Sequence, residues 1–168
     1  MTGRGGVFIG LGANLGDREA TLLRALERLD ADDGIEVLKV STFHRTRPWR
    51  VEQQPEFLNA VAEIATEIAP GDLVVRLLSV ERELGRDRAE AARWAARTID
   101  LDLLLYRDRV VEEAGCRVPH PFLHEREFAL RPLIEIAPDI QIPQRGSAAD
   151  WLRRIETTGV VPSEPVHA

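Results

Sequence analysis

The chain has 168 residues, 44% of them hydrophobic, and sets 22 Lys and Arg against 28 Asp and Glu for a net charge of −6. That size and apolar content suit a single domain over 1–168 with a substantial core, and the acidic balance excludes an open nucleic-acid surface. One cysteine, Cys116, excludes an intrachain disulfide, and no N-terminal apolar run exceeds "VFIGL", so neither a signal peptide nor a membrane span is expected and the expected location is the cytoplasm.

Taken in chain order, "VFIGLG" (7–12) reads as a short buried strand. From Asp17 a helix is expected, with Leu22, Leu23, Leu26 and Leu29 at helical spacing and Asn14 or Asp17 as its cap. Residues 35–44 read as one strand and 57–68 as another, with a polar loop between them. "PGDLVVRLLSVEREL" opens on a Pro-Gly-Asp helix start and stops at Gly85. An Arg-rich connector then leads to "RTIDLDLLLY" (97–106), again a strand. The order β-α-β-β-α-β is the ferredoxin-like split βαβ plan, an α+β fold with an antiparallel sheet and helices on one face. After Tyr106 the sequence predicts a turn, a short strand, a loop and C-terminal helical additions. These are one helix from about Glu125 to Ala137 and another capped by Ser147 and closed by Gly159. The core is expected over 6–158, with a loose tail over 160–168.

The last core strand poses a chemical question. Side chains alternate across a strand, so Asp100 and Asp102 share one face while Ile99, Leu101, Leu103 and Leu105 share the other. Two carboxylates about 7 Å apart can hold divalent ions with a polyphosphate between them, or can simply form a solvated polar stripe. Arg82, Arg86, Arg88, Arg93 and Arg97 lie just before them, with Trp94 among them. Forked cationic donors facing a metal suit phosphoryl transfer, although the same stretch also reads as a solvated helix with interleaved acids. "GLGANLGD" lacks the Gly-Lys-Ser/Thr of a phosphate loop and reads as a tight turn. Pro121 between His120 and His124 argues against a helical zinc pair and leaves His120 as a phosphate neighbour or an ordinary surface histidine.

Segments "VFIGLGANLGDRE", "FHRTRPW", "QQPEFLNAV", "ELGRDR", "RWAARTIDLDLLLY" and "VPHPFLHEREFALRPLIEIAP" follow one another over about residues 6–143. In these the chain resembles the 6-hydroxymethyl-7,8-dihydropterin pyrophosphokinases of folate biosynthesis, which transfer pyrophosphate from ATP to the pterin hydroxymethyl group. The resemblance implies a catalytic set of Arg86, Arg97, Asp100 and Asp102, the two aspartates ligating two Mg2+ ions. It implies ATP contacts from Glu81, Arg86, Arg88, Arg97, His120 and Arg126. Phe57 and Phe128 would sandwich the pterin, Asn59 would read its edge, Thr46 would offer backbone contacts and Trp94 would close over it. Loops around "HRTRPW" and from Gly85 to Arg97 would close on ATP. The partners implied are ATP as co-substrate and the pterin, with no nucleic acid and no membrane, for a chain expected to be a monomer.

Departures from the family pattern are Ala95-Ala96 in place of Gly-Pro, Arg47 in place of a proline or acid, "GCR" at 115–117, and Pro121 after His120. Two other classes fit the fold plan: a small-molecule regulatory module and an RNA-binding sheet. With 5% aromatics and acidic charge the RNA reading is poor. Among enzymes, another magnesium-dependent phosphoryl or nucleotidyl transferase is the nearest rival.

Overall fold

Val7, Ile9, Leu11 and Ala13 alternate along strand β1 (Val7–Ala13) and all four are buried, so one whole face of the strand enters a core. The computed structural model describes residues 6–14, 17–46, 57–85, 99–157 and 164–166. Helix α1 (Arg18–Asp30) starts where Asp17 accepts the Ala20 N–H at 3.0 Å, the capping expected of that aspartate. Its buried stripe is Thr21, Leu22, Ala25 and Leu29, and Leu23 is exposed because it lies a further 100° around the helix from Leu22.

The single strand expected over 35–44 is two, β2 (Ile35–Val40) and β3 (Phe43–Thr46). Ser41 causes the break. Its amide donates to the Val61 carbonyl while its hydroxyl accepts the Val61 N–H, each at 2.9 Å, so a side chain takes a ladder position that backbone would otherwise fill. Strand β4 (Phe57–Thr66) is the hub: β1 pairs with one edge, and β2 and β3 share the other. Helix α2 (Pro70–Gly85) and strand β5 (Asp100–Tyr106) complete the split βαβ core, with β5 beside β1 and every pairing antiparallel.

Helices α1 and α2 cover one face of the sheet, over Val7, Ile9, Leu11, Leu58, Ala60, Leu101 and Leu103. The other face is covered too, in part, by the C-terminal additions. The hairpin β6 (Val111–Glu113) and β7 (Cys116–Val118), where one strand was expected, leads through a 3-10 turn (Leu123–Glu125) into α3 (Glu127–Ile136). A second small hairpin, β8 (Gln141–Ile142) and β9 (Gly146–Ser147), precedes α4 (Ala148–Thr157). Phe8, Val61, Leu104, Leu105, Leu130 and Leu133 pack in this second core. Arg131 ties α3 to α4 by bonding both Glu127 and Glu156 at 2.7 Å.

Leu105 does not share a face with Leu103. Phe8 pairs with Leu105 and Ile9 with Leu103, so Leu104 is an extra residue, and this bulge turns Leu105 into the second core. The tail expected to be loose contributes β10 (Glu164–Val166), which pairs with β3 and covers backbone groups that would otherwise stay open at that edge. Among the described residues no helix is long and apolar enough to cross a membrane.

Candidate active site

Antiparallel partners that face each other across a ladder point to the same side, and this rule assembles the site. His44 pairs with Asn59, Asn59 with Gly12, and Gly12 with Asp100, so four strands present one row on the face away from α1 and α2. Gly10 stands opposite both Val61 and Asp102 in the next row. A Cβ at Gly12 would lie 2.9 Å from Asn59 Oδ1, and one at Gly10 would lie 3.3 Å from Leu104. The amide of Asn59 therefore reaches over Gly12, and the bare β1 backbone floors a trough between Asn59 and the aspartates. From the sequence alone Gly12 is expected only to shape a turn.

Asp100 and Asp102 occupy the expected face, both partly exposed. Glu81 accepts the Leu101 N–H at 2.7 Å, from a carboxylate on α2, and so anchors β5 midway between the two aspartates. Glu81→Ala should leave that amide without its partner and destabilise the protein by about 1–3 kcal/mol, read as a lowered urea midpoint.

The loop after β7 brings two cationic or protonatable groups over the aspartates. The Val118–Pro119 peptide is cis, and His120 follows it with its amide on the Leu104 carbonyl at 2.9 Å. His120 Nδ1 accepts the Phe122 N–H at 3.2 Å, which places the ring proton on Nε2. Burial holds the imidazole below its ordinary pKa, Arg126 adds to that and Asp102 opposes it. His120 is thus a neutral donor at neutral pH.

Arg126 NH1 lies 3.9 Å from Asp102 Oδ2, while its guanidinium carbon sits 5.5 Å from the Phe128 ring centre and 5.7 Å from that of Phe122. Two phenyl faces thus hold a cation at the mouth of the aspartate pair. Phe128 stands in the first turn of α3, and Pro132, four residues on, has no N–H for its carbonyl, so that turn is released from the helical ladder. Phe57, in strand β4, shares the trough face with Asn59 and is partly exposed. Thr46 pairs with Phe57 through the backbone of β3.

One cluster escaped the sequence reading. Glu135 on α3 accepts from the Thr42 amide at 2.6 Å and the Thr42 hydroxyl at 2.8 Å, and lies 2.8 Å from His44 Nε2. Burial would raise its carboxyl, but the Thr42 amide, His44 and the Thr42 hydroxyl together hold it below its ordinary value of 4.5. A depressed carboxyl stabilises the fold above its unfolded pKa, and that contribution is lost as the pH falls through the folded value. Glu135→Gln should therefore show a flatter loss of stability than the parent on acidification below about pH 4.5, measured by urea midpoints. Residues 44 and 135 are too far apart in the chain for spacing to reveal the pair, and only a carboxylate among apolar α3 neighbours hinted at a role.

The structure thus brings Asp100, Asp102, Asn59, Phe57, His120, Arg126 and Phe128 to one face, with Glu81 supporting from the edge of β5. Arg86, Arg88, Trp94 and Arg97, residues 47–49 and 86–97 of the two loops expected to close, and the departures at Arg47 and Ala95-Ala96 lie outside the described residues, whereas His44–Thr46, expected in the first loop, belong to β3.

The family model of 7,8-dihydro-6-hydroxymethylpterin-pyrophosphokinase (HPPK) matches residues 8–138. The chain belongs to the HPPK family. The 2-amino-4-hydroxy-6-hydroxymethyldihydropteridine pyrophosphokinase of Aquifex aeolicus is 41% identical over 137 residues, covering 82% of this chain and 83% of the relative. That of Methylorubrum extorquens is 41% identical over 153 residues, covering 91% and 95%. The HPPK fold recurs in solved chains of Plasmodium falciparum HPPK-DHPS. One determined with pteroate has a TM-score of 0.72 at 10% identity over 96% of this chain, and another, with SDX-DHP, has 0.70 at 12%. This chain spans less than half the length of those two, 48% and 47%. All the trough residues, from Gly10 to Phe128, fall inside the HPPK match.

Proposed function

We propose that the trough is the place where the two substrates meet, with Asp100 and Asp102 holding two magnesium ions against the triphosphate of ATP. The reaction is that of the family: pyrophosphate passes from ATP to the hydroxymethyl group of 6-hydroxymethyl-7,8-dihydropterin, in folate biosynthesis, and AMP is released. The donor set would suit magnesium, a hard cation that takes oxygen ligands and is commonly held by one or two carboxylates together with substrate phosphates. When bound, the ions supply Lewis-acid neutralisation of phosphate charge.

The chain's own residues do the rest. Asn59 offers a donor and an acceptor to the pterin edge, and Phe57 and Phe128 offer faces for a flat ring. Thr46 contributes backbone contacts, and Trp94 covers the ring. Arg86, Arg88 and Arg97 hold the triphosphate, and His120 Nε2–H and Arg126 donate to it from the loop after β7. Held in line, the hydroxymethyl oxygen gives up its proton to water and forms a bond to the β-phosphorus as the bond to the α,β-bridging oxygen breaks, and that electron pair leaves with AMP.

The observation that supports this most is the row Asn59–Gly12–Asp100 on adjacent strands. It sets a pterin-reading amide about 10 Å, two strand spacings, from a phosphate clamp, the length of a bicyclic ring with its hydroxymethyl arm. Incubation with ATP, magnesium and the hydroxymethyl pterin should yield AMP only when pterin is present. ADP instead would assign the chain to the rival phosphoryl transferases. The same reading takes the protein as a cytoplasmic, single-domain monomer whose partners are its two substrates.

A further inference from the structure

His44 is 7% exposed, and its Nδ1 is buried with no hydrogen-bond partner among the described residues. Its other ring nitrogen is engaged: Nε2 lies 2.8 Å from Glu135 Oε1 and 3.2 Å from Thr42 Oγ1. A carboxylate can only accept, so in the neutral ring Nε2 carries the proton and Nδ1 keeps a bare lone pair. The two nitrogens of an imidazole point in diverging directions. Nε2 is held by Thr42 and Glu135, and Nδ1, on the far side of the ring, is left without a described partner on a residue that stands beside Asn59 in the row. Buried polar atoms without partners are rare, and one beside a ligand trough is an acceptor awaiting a donor.

The chemistry of the ligand matches. The amino-pyrimidinone edge of a pterin carries a ring N–H and an amino group, more N–H donors than one Asn amide oxygen can satisfy. Resting on the placement of pterin in the trough, we propose that His44 is a further specificity-determining residue, its Nδ1 accepting a hydrogen bond from this N–H edge beside Asn59. Glu135 is then a positioning residue: it fixes the tautomer and ring orientation of His44 and, through Thr42, joins β3 to the helix that carries Phe128.

The test uses the full chain with 15N-labelled histidine, magnesium and a non-hydrolysable ATP analogue. Addition of hydroxymethyl dihydropterin should move the resonance of the unprotonated His44 Nδ1 upfield, and the ATP analogue alone should leave it in place. An Nδ1 that is already protonated, or that stays still at pterin saturation, overturns the proposal. In binding titrations His44→Phe, which keeps a flat ring without an acceptor, should weaken pterin about tenfold and leave the ATP analogue unchanged. Unchanged pterin affinity, or an equal loss for both ligands, counts against it. Asn59→Ala separates the two possible failures. Pterin affinity unaffected by that change overturns the pterin placement and the role of His44 with it, whereas affinity lost there but kept in His44→Phe overturns His44 alone.

Discussion

Replacing Asp100 or Asp102 with alanine is expected to lower AMP formation by at least about a hundredfold, the scale on which removal of a preorganised electrostatic contact acts. The fold should survive either change. Both carboxylates are partly exposed on an edge-side strand, and the Arg126–Asp102 contact, at 3.9 Å, is a half-exposed ion pair of small worth to stability. The hydrophobic anchors of β5 are Leu101, Leu103, Leu104 and Leu105, all buried and untouched by the substitutions. Thermal melts should thus coincide within a few degrees of the parent while product release collapses. Asp102→Ala also removes the anion that faces Arg126, so it should tighten the affinity for inorganic tripolyphosphate measured without magnesium. A variant of either aspartate that retains near-parental rate would remove the proposed metal clamp.

The facing of those aspartates was legible because it needs only the two-residue period of a strand, and the same holds for Phe57 and Asn59. Core helices were legible for a similar reason: Asp17 has a local capping partner, and Pro70 and Gly85 bracket α2 by backbone chemistry. What stayed hidden depends on partners distant in sequence. The bulge at Leu104 exists only because β5 must match β1, and no property of "DLDLLLY" alone marks it. The break at Ser41 requires the Val61 amide, and the clamp on His44 requires a helix that begins more than eighty residues later. The edge strand at Glu164–Val166 is a response to the open flank of β3 and has no signature of its own. Helices on the second face follow from this too: Phe8, Val61 and Leu104 lie on three strands, and their common exposure appears only when the sheet is assembled.

Gly12→Ala is the sharpest test of the trough, because it should separate function from stability. The new methyl would meet Asn59 Oδ1 at 2.9 Å, a distance that forces movement. The atom it meets is the end of a short side chain, so the amide can rotate away without displacing backbone, and the change in folding free energy should stay within about 1 kcal/mol. Rotation, however, withdraws the Asn59 amide, to which donor and acceptor contacts with the pterin edge are assigned, and the methyl also raises the floor on which the ring would lie. Pterin KM should rise tenfold or more, with the KM for ATP near the parental value, since Asp100 and Asp102, the proposed phosphate clamp, stand on the other side of β1. Gly10→Ala is the matched control. Its methyl would press on Leu104 at 3.3 Å, inside the second core and level with Asp102, so it should cost stability more than pterin affinity. If Gly12→Ala binds pterin like the parent, the space above β1 is not where the ring lies, and Asn59 reads something else.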